Sequence, residues 1–196
     1  MKDLIILVSD SDMEIGIKTL IEKRYNSLNI KQINFDIYKH PQRDPGVLKK
    51  AHEFLRPHIS SYRYALVMFD YEGCGDEDKP IDELEAVVKE RLENNGWERR
   101  CEVIILNPEL EIWIWTESHQ VAKVLNIAPR DLRELIKDGK PKRPKEKMRE
   151  CLRKSGIPWS SSLFKEIAEK ISLTKCKDKS FEKFKTTLNC WFPQSK

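Results

Sequence analysis

The chain has 196 residues, enough for one domain or one domain with an extension. Its 39% hydrophobic content supports a real core, and its 35% charged content is mixed in sign, which argues against disorder. The net charge of +4 conceals an asymmetry: residues 140–196 carry 16 Lys+Arg against 6 Asp+Glu, and the remainder carries 20 basic against 26 acidic residues.

The opening apolar segment, residues 4–8, is too short for a signal-peptide core, and no apolar run approaches the roughly 20 residues of a membrane helix. The expectation is a soluble, cytoplasmic protein with no membrane partner. Five scattered cysteines without a CxxC pair argue against a zinc knuckle or a redox motif. Cys74 reads as a structural thiol despite its place in a glycine-flanked loop.

Leu4-Ile5-Ile6-Leu7-Val8 predicts a first strand, ending at Ser9-Asp10-Ser11-Asp12. A helix is expected from about Met13 to Arg24, with Asp12 as its N-cap. Residues 33–37 alternate and predict a less buried strand. His40-Pro41-Gln42-Arg43-Asp44-Pro45-Gly46 predicts a loop, followed by a helix over 47–59. His40 reads as a surface histidine, although its loop lies where it could reach a site. Ala65-Leu66-Val67-Met68-Phe69 predicts a strand buried on both faces, the mark of a central strand in a parallel sheet. Asp70-Tyr71-Glu72-Gly73-Cys74-Gly75 follows it. A helix from Pro80 to Asn94 and a fourth strand over 101–106 complete a β-α-β-α-β-α-β alternation. That alternation predicts an α/β fold, a mainly parallel sheet of about four strands with helices on both faces.

After Pro108, Glu109-Leu110-Glu111-Ile112-Trp113-Ile114-Trp115 predicts a short helix, a strand being the alternative. Helical segments follow near 119–126, 130–138, 144–154, 161–171 and 178–191. The first two make a helix-turn-helix outline around Asn126-Ile127-Ala128-Pro129, a pattern that arises easily in helical packing. The large aromatics Trp113, Trp115, Trp159 and Trp191 read as core before base-stacking groups. Lys140-Pro141-Lys142-Arg143-Pro144 breaks the pattern, so the expected division is an α/β domain over 1–139 and a basic helical extension over 140–196.

Carboxylates that gather at the carboxyl ends of parallel strands repel each other unless a cation neutralises them, and ligands bind there in open α/β sheets. Asp10 and Asp12 follow the first strand, Asp70 and Glu72 the third, Glu109 and Glu111 the fourth. The expected metal ligands are Asp10, Asp70, Glu72 and Glu111, holding Mg²⁺ or Mn²⁺. No HxxxH zinc pattern, GxSxG elbow, GxGxxG turn or GxxxxGK[ST] loop occurs. The basic 140–196 region suggests an anionic partner, nucleic acid being the expected one.

The segments around Asp10-Ser11-Asp12, Phe69–Gly75 and Leu106–Trp115, together with the His40–Gly46 loop and Trp191-Phe192-Pro193, resemble the small Toprim-like proteins of bacterial methylation-associated anti-phage defence systems. The resemblance implies a Toprim-like sheet with a magnesium site and action on nucleic-acid phosphodiesters. It implies a glutamate closing the first strand and an Asp-x-Asp closing the third. Asp70 matches the first Asp of that pair, Glu72 replaces the second, and Asp10 lies one or two positions beyond the place of the glutamate. The expected function is therefore a Mg-dependent nuclease or phosphodiester-acting component of antiviral defence, with Asp10, Asp70 and Glu72 catalytic and other defence-system proteins as partners. The alternative is a non-catalytic scaffold or nucleic-acid-binding subunit.

Overall fold

A computed structural model describes residues 1–116 and 118–194. The chain packs as two compact units: Met1–Glu14 with Gln32–Asn107, and Ile15–Lys31 with the chain from Pro108 onward. The basic breaker at 140–144 falls inside the second unit. No described helix is long and apolar enough to cross a membrane.

The first unit is built on a four-stranded parallel sheet in the order β2-β1-β3-β4, the α/β Toprim-like architecture expected. Its strands are β1 (Lys2–Val8), β2 (Phe35–Lys39), β3 (Tyr62–Asp70) and β4 (Cys101–Leu106). β1 and β3 are central, and their continuous apolar runs are buried on both faces, as parallel central strands require. One face, carrying Ile5, Leu7, Val67, Phe69, Val103 and Ile105, packs against α2 (Arg43–Leu55) and α3 (Ile81–Leu92) through Val47, Leu48, Ala51, Leu84 and Val88.

Local chemistry moved several boundaries. Helix α1 (Ser11–Lys23) starts earlier than expected, because Asp10, not Asp12, caps it: Asp10 Oδ1 accepts the Met13 N–H at 2.9 Å. α2 begins at Arg43, inside the expected loop, with Pro45 in the first turn, where its missing N–H costs nothing. After α3 the chain makes a wider turn over Glu93–Trp97 and leaves it through Gly96 at φ +96°. Arg100 then fixes this corner, donating to the carbonyls of Ile59, Tyr62, Arg63 and Gly96 and lying 4.8 Å over the Trp97 ring.

Edge strand β2 is held by charge. Lys2 Nζ donates to both Asp36 oxygens at 2.8 and 2.7 Å, and the Tyr62 hydroxyl donates to Asp36 Oδ2. The Lys2 hydrogen bond first, then that from Tyr62, holds the Asp36 carboxyl below its ordinary value. Because the folded-state value lies below the unfolded one, this stabilisation is fully present above about pH 3.9 and is lost as pH falls through the folded value. Thermal melts of wild type and Asp36→Asn are expected to differ at about pH 6 and to converge toward about pH 2.

The second unit is helical, with α4 (His119–Val124), α5 (Pro129–Leu135), α6 (Pro144–Lys154), α7 (Ser161–Lys170) and α8 (Lys179–Trp191). The segment after Pro108 is a 3₁₀ turn over Leu110–Trp113, which settles the helix-or-strand alternative. Trp113 and Trp115 are core residues with satisfied indoles: Trp113 Nε1 donates to Ser180 Oγ at 2.7 Å and Trp115 Nε1 to the Pro144 carbonyl at 3.2 Å. Trp113 also packs on Phe181 and Phe184. Arg24 closes the carboxyl end of α7 by donating to the carbonyls of Ala168, Glu169 and Ile171.

Candidate metal centre

In the first unit the candidate carboxylates lie at the carboxyl end of the sheet. β1 and β3 are neighbours, with Leu7 paired to Val67, so Asp10 and Asp70 stand the same number of residues beyond that pair. Asp70 is the last residue of β3, is 5% exposed and pairs with Leu106, the last residue of β4. Its N–H donates to Asp44 Oδ1 at 2.9 Å. Asp10 is half-buried, and one of its oxygens is committed to the α1 cap. Ser9, between β1 and Asp10, is buried, and its hydroxyl has no hydrogen-bond partner among the described residues.

The His40–Gly46 segment exists to place Asp44. His40 is buried, contrary to the surface reading, and its Nδ1 accepts the Gln42 N–H at 3.1 Å. A Cβ at position 46 would lie 2.1 Å from that nitrogen, so only glycine lets the imidazole close the turn. Burial, and then the positive charge of Lys50, hold the His40 pKa down and keep the ring neutral near pH 7. His40 is thus a support for the loop that grips Asp70.

Glu72 is exposed. Its loop is organised by Glu77, an acid the sequence did not single out: Glu77 Oε1 accepts the N–H groups of Gly73 at 2.8 Å and Gly75 at 3.2 Å. These glycines sit at φ +90° and +91°, which explains why the turn uses them. Cys74 is buried, and burial pushes its thiol pKa up, so it is a packing residue.

In the second unit, Glu109 and Glu111 are 7% and 1% exposed and offer carboxylate oxygens within 4.8 Å of each other. Extended backbone at Glu109 and the 3₁₀ turn after it bring their side chains together. Lys145, in the first turn of α6, neutralises the pair. Its N–H donates to Glu109 Oε1 at 2.8 Å, and its Nζ lies 3.8 Å from Glu109 Oε2 and 3.6 Å from Glu111 Oε1. Glu109 therefore also serves the amino end of α6, where a carboxylate is favoured. The expected ligand set omitted Glu109 and gave Lys145 no role. Glu109 was visible as the acid preceding Glu111, but nothing in the spacing points to Lys145.

No protein-family model matches the chain, and no curated protein matches it. Among solved structures it is similar to the C-terminal region of the Burkholderia pseudomallei OLD protein, with a TM-score of 0.55 and 10% identity, over 97% of this chain and 98% of that one. At that identity the likeness shows the fold, and the chain has the Toprim-like α/β fold. The buried acidic residues at the strand ends are compatible with a divalent metal ion, since all offer hard oxygen donors.

Proposed function

We propose that the protein binds a divalent cation, Mg²⁺ or Mn²⁺, through buried carboxylates, the candidates being Asp70 in the first unit and the Glu109–Glu111 pair in the second, and that it acts on nucleic-acid phosphodiesters as a nuclease in antiviral defence. The observation that carries this reading is the burial of carboxylates in each unit: Asp70 closes β3 in the first, and Glu109 and Glu111 are enclosed side by side in the second. Oxygen-only donors, enclosed and close together as in the Glu109–Glu111 pair, suit a hard ion. When bound, such a cation offsets charge developing on a phosphoryl group and acidifies a water.

The chain's own residues supply the rest. Asp44 fixes the backbone of Asp70, so that its carboxylate is presented in one direction. Asp10, beyond the neighbouring strand, takes the proton-accepting role, and Ser9 adds a buried hydroxyl for a water or phosphate oxygen. Glu72 acts at the exposed mouth of the loop. Lys145, beside Glu109 and Glu111, would offer its ammonium to a phosphate there. The exposed basic residues of the 140–196 region, among them Lys142, Arg143, Arg149, Arg153 and Lys154, hold the nucleic-acid backbone, so binding is expected to weaken steeply with salt. The setting of methylation-associated defence, in the cytoplasm and alongside other defence proteins, rests on the resemblance of the motifs.

The test is Mn²⁺ binding by calorimetry, together with cleavage of DNA and RNA, for wild type and Asp70→Ala/Glu111→Ala. Binding and cleavage in wild type and loss of both in the variant are expected. Lys145 also favours a second reading, because it already neutralises the glutamate pair: a salt-bridged scaffold that needs no ion. Absence of Mn²⁺ binding by the wild type would establish that reading in place of the first.

A further inference from the structure

Trp113 and Trp115 are enclosed, but Trp159 is half-buried. Gly156, at φ +67°, and Ile157, whose N–H returns to the Leu152 carbonyl at 2.9 Å, turn the chain back after α6. The turn sets the Trp159 ring beside Phe164, with centroids 5.3 Å apart, and beneath Arg149, whose guanidinium carbon lies 5.2 Å from the ring centre. At that distance the ring attracts the cation and holds a flexible side chain in one place.

Arg149 is itself exposed, and with Glu146, Glu150 and Arg153 it lines an open hollow of about 250 Å³ within the second unit. The two carboxylates of the hollow are engaged by other cations: Glu146 by Arg143 at 3.0 Å, and Glu150 by Lys147 and Lys154 at 2.8 and 2.7 Å. Among the described residues neither Arg149 nor Arg153 has a carboxylate partner. They stand one helical turn apart, an arrangement of like charges that destabilises a helix.

A hollow that also holds two carboxylates suits a phosphate poorly. A nucleobase is neutral, stacks on a guanidinium plane and offers N–H groups to carboxylate oxygens. Because Trp159 already fixes Arg149, little freedom is lost when a base settles on it.

We propose that Arg149, backed by Trp159, is a stacking platform for one unpaired base, with Arg153 and Lys154 on the flanking phosphates, so that the nucleic acid bound is single-stranded. The proposal rests on the nucleic-acid reading above and refines the part given there to Arg149. In a duplex the base faces are already stacked on each other and are closed to such a platform.

The test is fluorescence anisotropy of the full chain in EDTA with labelled single-stranded and duplex oligonucleotides of equal length at fixed ionic strength. Tighter binding of the single strand is expected. Arg149→Lys, which keeps the charge and loses the plane, should reduce that preference about fivefold or more. Arg149 is exposed, so circular dichroism should show an unchanged fold. Arg153→Ala should weaken single-strand and duplex binding by similar factors, as a phosphate contact does. No preference in the wild type, or a preference that Arg149→Lys leaves unchanged, would overturn the platform. Mn²⁺ binding and cleavage report on the metal centre separately: their absence with the preference intact would overturn the nuclease reading and support the platform.

Discussion

Lys145→Ala is expected to lower the stability of the cation-free protein by about 3 kcal/mol, and added Mn²⁺ is expected to restore much of that loss. Lys145 is 24% exposed at the side chain, while its partners Glu109 and Glu111 are almost fully enclosed. Removing one member of a buried ion pair leaves the other charge in a poorly solvating medium, a change that costs about 3–5 kcal/mol. The partial exposure of Lys145 places the effect at the lower end. In a chain of this length that corresponds to a fall of roughly 6–12 °C in the melting temperature. A divalent cation at the glutamates replaces the lost positive charge, so Mn²⁺ should stabilise the variant more than the wild type. Melting curves in EDTA and in Mn²⁺ measure this directly. An unchanged melting temperature in EDTA, or equal responses to Mn²⁺, would show that Lys145 and the ion do not share these carboxylates.

Phe69→Ala is expected to cost about 3–5 kcal/mol, because the ring is wholly enclosed and its removal leaves a void in a layer that cannot collapse. Phe69 pairs with Ile105 across β3 and β4 and belongs to the layer formed with Leu7, Val67, Val47 and Val88. Strands in a parallel sheet are tied on both sides, so the backbone has little freedom to close the gap. Urea titrations should show a lower midpoint with a similar slope. The substitution also lies one residue before Asp70, so the strand end that presents the carboxylate loses its packing. A variant that keeps its stability would mean that helices α2 and α3 move inward to fill the space.

How far the sequence could be read depended on the range of the interactions. The strand over Ala65–Phe69 was legible because five consecutive apolar residues state their burial without reference to anything distant. The same holds for β4 and for the acids that end these strands. The α1 cap was misplaced because Asp10 and Asp12 are equally suited to the role, and only the point at which β1 stops selects Asp10. The prolines and glycine of His40–Gly46 announced a turn. They did not announce that the turn encloses a neutral histidine and that Asp44 reaches the backbone of Asp70, 26 residues away.

By itself, the sequence determined the α/β alternation, the buried central strands and the presence of acids at strand ends. It did so because period, apolar runs and turn residues are local properties of a chain. The tertiary structure decided which acids are enclosed and which face water. It buried Glu109 and Glu111, left Glu72 exposed, and brought Lys145 from the first turn of α6 to the glutamate pair. Solvation and charge pairing depend on neighbours far apart in the chain, so no spacing of residues could have revealed them.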